Sequence, residues 1–218
     1  MTELVLSSAI QQAQEELIQC YRELQTKSSN VVWEILQNYA MVYQWDHYPK
    51  DEVFGKPYHG QYYYHSHPSK DKDRVIEHGH FHVFFRLAGV PQECKPLYFS
   101  EKYKKDSNKD NLCHLFAIAM NDKGLPTSLF TTNHWVTQGI WYAAEDCCKM
   151  LELFHVDSPK GPILTNRWIN AMVKLFKEPL RQLLLHRDQV MQEWLEENKS
   201  KDIYIDKNLE VISVCPLV

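Results

Sequence analysis

The spacing of apolar residues changes period along the chain. Ile10, Ala13, Leu17, Tyr21 and Leu24 recur at intervals of three and four with Gln and Glu between them. That spacing predicts a helix with Ser8 as its N-cap. A second helix is expected after Asn30, carrying Val32, Trp33, Ile35, Leu36 and Ala40. Pro49, Gly55, Pro57 and Gly60 then predict a loop between Trp45 and Tyr64, anchored by Tyr48, Phe54 and Tyr58. Beyond it the period shortens to two. Residues 62–67 and 74–87 are rich in aromatic and β-branched side chains and read as strands, with polar residues 68–73 between them.

Leu112 to Met120 is an almost unbroken apolar run, as expected of a central strand buried on both faces. Asn121-Asp122-Lys123-Gly124 is a turn signal, and Leu125 to Phe130 should return as its hairpin partner. Thr132-Asn133 and Thr165-Asn166 each read as a helix start by shared N-cap chemistry. A long helix through Leu180, Leu184, Met191 and Leu195 should bend near Pro179. Residues 203–214 read as a short terminal strand or hairpin. The pattern predicts an α+β fold, with a central antiparallel sheet flanked by N-terminal and C-terminal helices. One domain spans 1–218. Its parts are a helical segment 1–42, a strand-rich region 43–130, a helical region 131–200 and a terminal strand or hairpin 201–218.

Composition adds exclusions. The 218 residues are 44% apolar and 24% charged, so a core is affordable without disulfides and wholesale disorder is ruled out. Seven glycines form neither a phosphate loop nor a dinucleotide fingerprint. The net charge of −4 and the absence of a basic stripe argue against nucleic acid as a partner. Six scattered cysteines without a Cys-x-x-Cys pair read as reduced thiols. With no signal-peptide pattern and no long apolar run, the expectation is a cytoplasmic protein that does not span a membrane, although signal-independent secretion stays open. Oligomeric state is not legible.

Histidine is where the chain departs from the ordinary. Six of the eleven histidines fall between residues 59 and 82. On a strand, residues two apart share a face, so His65 pairs with His67, and His78 aligns with His80 and His82. If the two segments pair antiparallel, opposed side chains sit about 5 Å apart at Cβ. Imidazoles from both strands then reach one divalent ion, with zinc, iron or manganese all compatible. The opposite parity, Phe81, Val83, Phe85 and Leu87, is the core face. Arg86 continues the histidine face and suits an anionic small molecule. Glu77 joins the site only if Gly79 marks a bulge, and His114 is a further, weaker candidate. The other histidines need no special role. Two readings stay open: a metal site serving hydrolase, lyase or oxygenase chemistry, or a metal-free hydrogen-bonded cleft in a non-catalytic domain. No general base is placed by the sequence.

Tyr64-His65-Ser66-His67-Pro68 resembles the metal-binding core of the JAMM (MPN-type) zinc isopeptidases. In that family a Ser-x-x-Asp follows seven residues later, and the corresponding positions here are Ile76 and Gly79. The likeness stops at the histidines and carries no isopeptidase activity over. A wider set of motifs is similar to an uncharacterised bacterial family, a domain of unknown function. It comprises residues 62–68, the run from Glu77 to Arg86, residues 129–137 with Asn133-His134-Trp135, and Asn166-Arg167-Trp168-Ile169. The resemblance covers the chain from about residue 40 onward and implies one domain of bacterial source, with no activity attached.

Overall fold

A computed structural model describes residues 2–55, 58–66, 77–99, 111–159, 161–199 and 202–217. The chain opens with helix α1 (Thr2–Thr26) and helix α2 (Val31–Leu36). α1 runs through Ser8 rather than starting there, since Glu3, Leu4 and Leu6 ahead of it are good helix formers. Asn30 does cap α2, its side chain accepting from the amides of Val32 and Trp33.

Six strands form the main sheet: β1 (Tyr48–Phe54), β2 (Gly60–His65), β3 (Gly79–Arg86), β5 (Leu112–Met120), β6 (Pro126–Thr132) and β8 (Val211–Pro216). Their order is β1-β2-β3-β5-β6-β8, and every neighbouring pair is antiparallel. The β5–β6 hairpin turns through residues 121–125, as the turn signal predicts. β1 corrects an expectation. Its segment reads as a loop because of Pro49, but an edge strand tolerates proline where its N–H would face outward. The terminal segment resolves into a strand, with β8 pairing to β6.

A second, two-stranded sheet joins β4 (Pro96–Phe99) to β7 (Ile140–Tyr142). The region expected to be helical from residue 131 is therefore interrupted. It holds the single turn α3 (His134–Thr137), β7, α4 (Ala144–Leu153), α5 (Ile163–Leu175) and α6 (Lys177–Glu197). Pro179 sits in the first turn of α6, where its missing N–H costs nothing, and the chain breaks at Phe176 between α5 and α6 instead. No helix among the described residues is long and apolar enough to cross a membrane.

Strand parity decides the two faces of the sheet. Tyr62, Tyr64, Phe81, Val83, Phe85, Phe116, Ile118 and Leu129 join α2, α4, α5 and α6 in one continuous core with Trp168, Ile169, Leu180 and Leu184. α1 is fastened to α5 by Arg167, which pairs with Glu16 and Glu23, and by the indole of Trp168 donating to the Tyr21 hydroxyl at 3.0 Å. Arg187, buried on α6, donates to the Tyr142 carbonyl at 2.7 Å and lies 4.4 Å over the Trp141 ring, which ties the small sheet to the helices. The two Thr-Asn pairs differ in use. Asn133 caps α3, while Asn166 lies inside α5, buried, accepting from the Tyr62 hydroxyl at 2.6 Å and donating to the Ser158 carbonyl at 3.2 Å.

That inner hydrogen bond gives a stability test. Replacing Asn166 by Leu strands the Tyr62 hydroxyl, and a loss of about 1–3 kcal/mol is expected in urea unfolding. Adding Tyr62→Phe to the same variant should recover part of the loss. No recovery would show that the pair is not the source of the cost.

Candidate metal centre

The site begins with register. β2 and β3 pair so that His65 faces His80 and Tyr63 faces His82. On the next strand, Ala119 lies opposite His80 and Ala117 opposite His82. The two alanines leave room beside the imidazoles that larger side chains would occupy. Tyr63, Phe84 and Phe130 wall the group, with Phe130 edge-on to His80 at 5.2 Å.

Three rings converge there. Centroid separations are 4.4 Å for His65–His80, 4.6 Å for His80–His82 and 5.0 Å for His65–His82. One nitrogen from each ring lies within 4.8 Å of the others, and all three residues are buried. A tetrahedral ion holds imidazole nitrogens about 3.3 Å apart, so the rings need to close by on the order of 1 Å to share one ion.

The ring hydrogen bonds favour ligation. Glu77 Oε1 meets His80 Nδ1 at 2.5 Å. His82 Nδ1 meets His114 Nε2 at 3.0 Å, and His114 Nδ1 lies 3.4 Å from Thr132 Oγ1. A consistent set of tautomers has every Nδ1 donating, which puts the lone pairs of His80 and His82 on Nε2. The Nε2 of His82 is buried and has no hydrogen-bond partner among the described residues. Burial, aided by the neighbouring histidines, pushes the His82 ring well below the usual imidazole range. Burial and the charge of Arg187 push His114 down to about 3. Both rings are neutral at pH 7, the form a metal requires.

Compared with protein-family models, the chain matches a domain of unknown function (DUF6969) over residues 11–217. The chain belongs to that family. No curated protein and no solved structure matches it. The DUF6969 match starts well before residue 40, and the packing explains why: Cys20, Leu24, Val31 and Ile35 belong to the same core as the sheet. All three convergent histidines lie inside the matched span.

The other sequence candidates are placed differently. His67 lies outside the described residues. His78 precedes β3, and its Nδ1 meets the hydroxyl of Tyr64, a core-face residue, at 2.6 Å, so it stands apart from the three rings. Glu77 is brought to His80, but not by a bulge at Gly79, where the pairing with β5 stays in register. Gly79 serves close approach instead: a Cβ there would fall 2.5 Å from the His65 carbonyl oxygen and 2.5 Å from the Tyr64 hydroxyl. The bulge lies on β5. There Phe84 pairs with His114 while Val83 pairs with Phe116, so Leu115 is the extra residue. It turns His114 from the core face to the histidine face. Arg86 lies four residues beyond His82, about 13 Å along the strand. Its guanidinium sits 4.6 Å over Phe54 and donates to Gln61, which donates to Glu52.

His47 is a member of the site that sequence reading passes over. Its ring stacks on Tyr63 at 3.6 Å and lies 6.2 Å from His65, with Nδ1 held by Glu52 at 2.8 Å. No spacing rule finds it, because it depends on β1 lying beside β2.

Two outcomes check this geometry. Folded-state values of His82 and His114 lie below the unfolded value of about 6.5, so the unfolded chain binds more protons and stability falls as pH falls below that value. Metal-free protein should show a urea midpoint that is level above pH 7.5 and declines from pH 6.5 to 5. A flat profile across that window would mean that the rings take up protons as readily in the folded chain as in the unfolded one. Gly79→Ala should cost about 1–3 kcal/mol by overpacking. The Phe81 amide, two residues along the strand, should lose hydrogen-exchange protection, and unchanged protection would remove the close-approach role.

Proposed function

We propose that the chain is a divalent-metal protein, with the ion held by His65, His80 and His82, and that the site serves hydrolytic, lyase or oxygen-dependent chemistry on an anionic small molecule. The observation that carries this reading is the buried Nε2 of His82, without a hydrogen-bond partner among the described residues, inside a group of three imidazoles. In a metal-free cleft that nitrogen is an uncompensated cost of about 1–3 kcal/mol. A bound cation turns it into a ligand.

The donor set narrows the metal. Three neutral imidazoles suit zinc or iron better than manganese, which favours oxygen ligands. Three protein ligands leave positions open for water or substrate, and zinc would bring a bound water close to pKa 7. Glu77 acts behind His80, fixing its tautomer and raising its basicity. The His47–Glu52 pair supplies the base that the sequence does not mark, a ring oriented through Nδ1 beside a ligand histidine. Arg86 acts at a distance, bracing Glu52 through Gln61. An anionic ligand would therefore meet the ion first, rather than the guanidinium.

Metal content of untagged protein tests the reading. After incubation with zinc or iron(II) and desalting, about one equivalent is expected in the wild type and almost none in His80→Ala/His82→Ala. Glu77→Gln should keep the fold and weaken metal affinity about 10–100-fold. Sub-stoichiometric metal in the wild type would overturn the proposal.

A further inference from the structure

The segment from residue 41 to 47 crosses the edge of the three-histidine group, and its side chains are unusual for a soluble surface. Four of its first five residues are large apolar groups left open to solvent: Met41, Val42, Tyr43 and Trp45, the last 58% exposed. Contiguous exposed apolar surface of this kind marks a binding site more often than chance. Trp45 also has φ +72, a left-handed backbone that a bulky residue rarely adopts. Such conformations persist where the surroundings enforce them, and they gather at ligand clamps. Here the enforcement is visible. The Trp45 amide donates to the Ser66 carbonyl at 3.2 Å, one residue past His65, and the Tyr43 amide donates to the Tyr48 hydroxyl at 2.7 Å.

The consequence is an indole held beside the candidate centre. The rings of Trp45 and His65 are 6.3 Å apart. His47, two residues on, stacks on Tyr63 and continues the aromatic rim. A ligand whose polar end reached the ion would have to lay its remaining body against these rings.

We infer that the site takes ligands with a planar aromatic body next to a metal-binding anionic group, and that Trp45 is the residue that sets this preference. The inference rests on the metal reading above and adds the substrate class. A flat ring stacks on indole in offset or edge-to-face geometry, while a short aliphatic group offers no ring for that contact. The anionic end would occupy the positions that three histidine ligands leave open.

The probes are benzohydroxamate and acetohydroxamate, which chelate through the same two oxygens and differ in the ring. The full chain is loaded with cobalt(II), and each probe is titrated by following the cobalt visible absorption. The wild type should bind benzohydroxamate about tenfold more tightly than acetohydroxamate, after correction for the ratio shown by free cobalt. Trp45→Ala should bring the corrected ratio close to one with cobalt binding unchanged, and Trp45→Phe should keep most of it. Equal ratios in the wild type and Trp45→Ala, with cobalt bound, would overturn this inference alone and point to the apolar segment as a protein contact. Failure of the wild type to bind cobalt, or binding that survives His80→Ala/His82→Ala, would remove the metal reading and this inference with it.

Discussion

The pairing of β2 with β3 carries two demands at once, because both strands are two-sided. Tyr62, Tyr64, Phe81, Val83 and Phe85 must face the helices, and the residues between them then have no choice but the other side. A slip of one residue would drive His80 and His82 into the core and put Phe81 and Val83 outside. Hydrophobic burial therefore enforces the register, and the register sets His65 against His80. The geometry of the imidazoles is a by-product of packing on the opposite face, so it needs little dedicated structure to hold it in place. Gly79 belongs to the same constraint, since it lets β3 begin against the His65 carbonyl without a steric clash.

Around that pairing, the histidine face is shaped by choices that cost stability locally. Ala117 and Ala119 forgo the packing that larger residues would give on a central strand. The β5 bulge disrupts a regular ladder to bring His114 behind His82. Buried imidazoles in contact are unfavourable to protonate, and one of their nitrogens has no partner among the described residues. Natural sequences carry such local conflicts mostly at functional sites. The small sheet and α6 take the opposite course. There the buried charge of Arg187 is fully engaged by Asp188, the Tyr142 carbonyl and the Trp141 ring. A charge so enclosed is costly to break and reads as architecture.

The rim adds a third kind of environment. His47, Glu52, Gln61 and Arg86 form a polar chain that crosses from the edge strand β1 to β3, and the exposed apolar segment that holds Trp45 leads into its first member. Two residues of the stretch before β2, the apolar Trp45 and the polar His47, thus border His65 together.

Period and parity were enough to determine the α+β class, the β2–β3 and β5–β6 strands, and the division of β3 into an aromatic face and a histidine face. These follow from short-range geometry, because successive side chains on a strand point to opposite sides whatever surrounds them. The tertiary structure alone decided which histidines meet. His78 falls one residue before the ladder and turns to Tyr64, and His114 changes face only because Leu115 bulges. His47 arrives through the pairing of an edge strand that its proline disguises as a loop. Each of these depends on where a strand starts, slips or finds its neighbour, and those are set by contacts between segments distant in the chain. Local spacing has no access to them, and so the sequence could nominate imidazoles for an ion but could not say which three would converge.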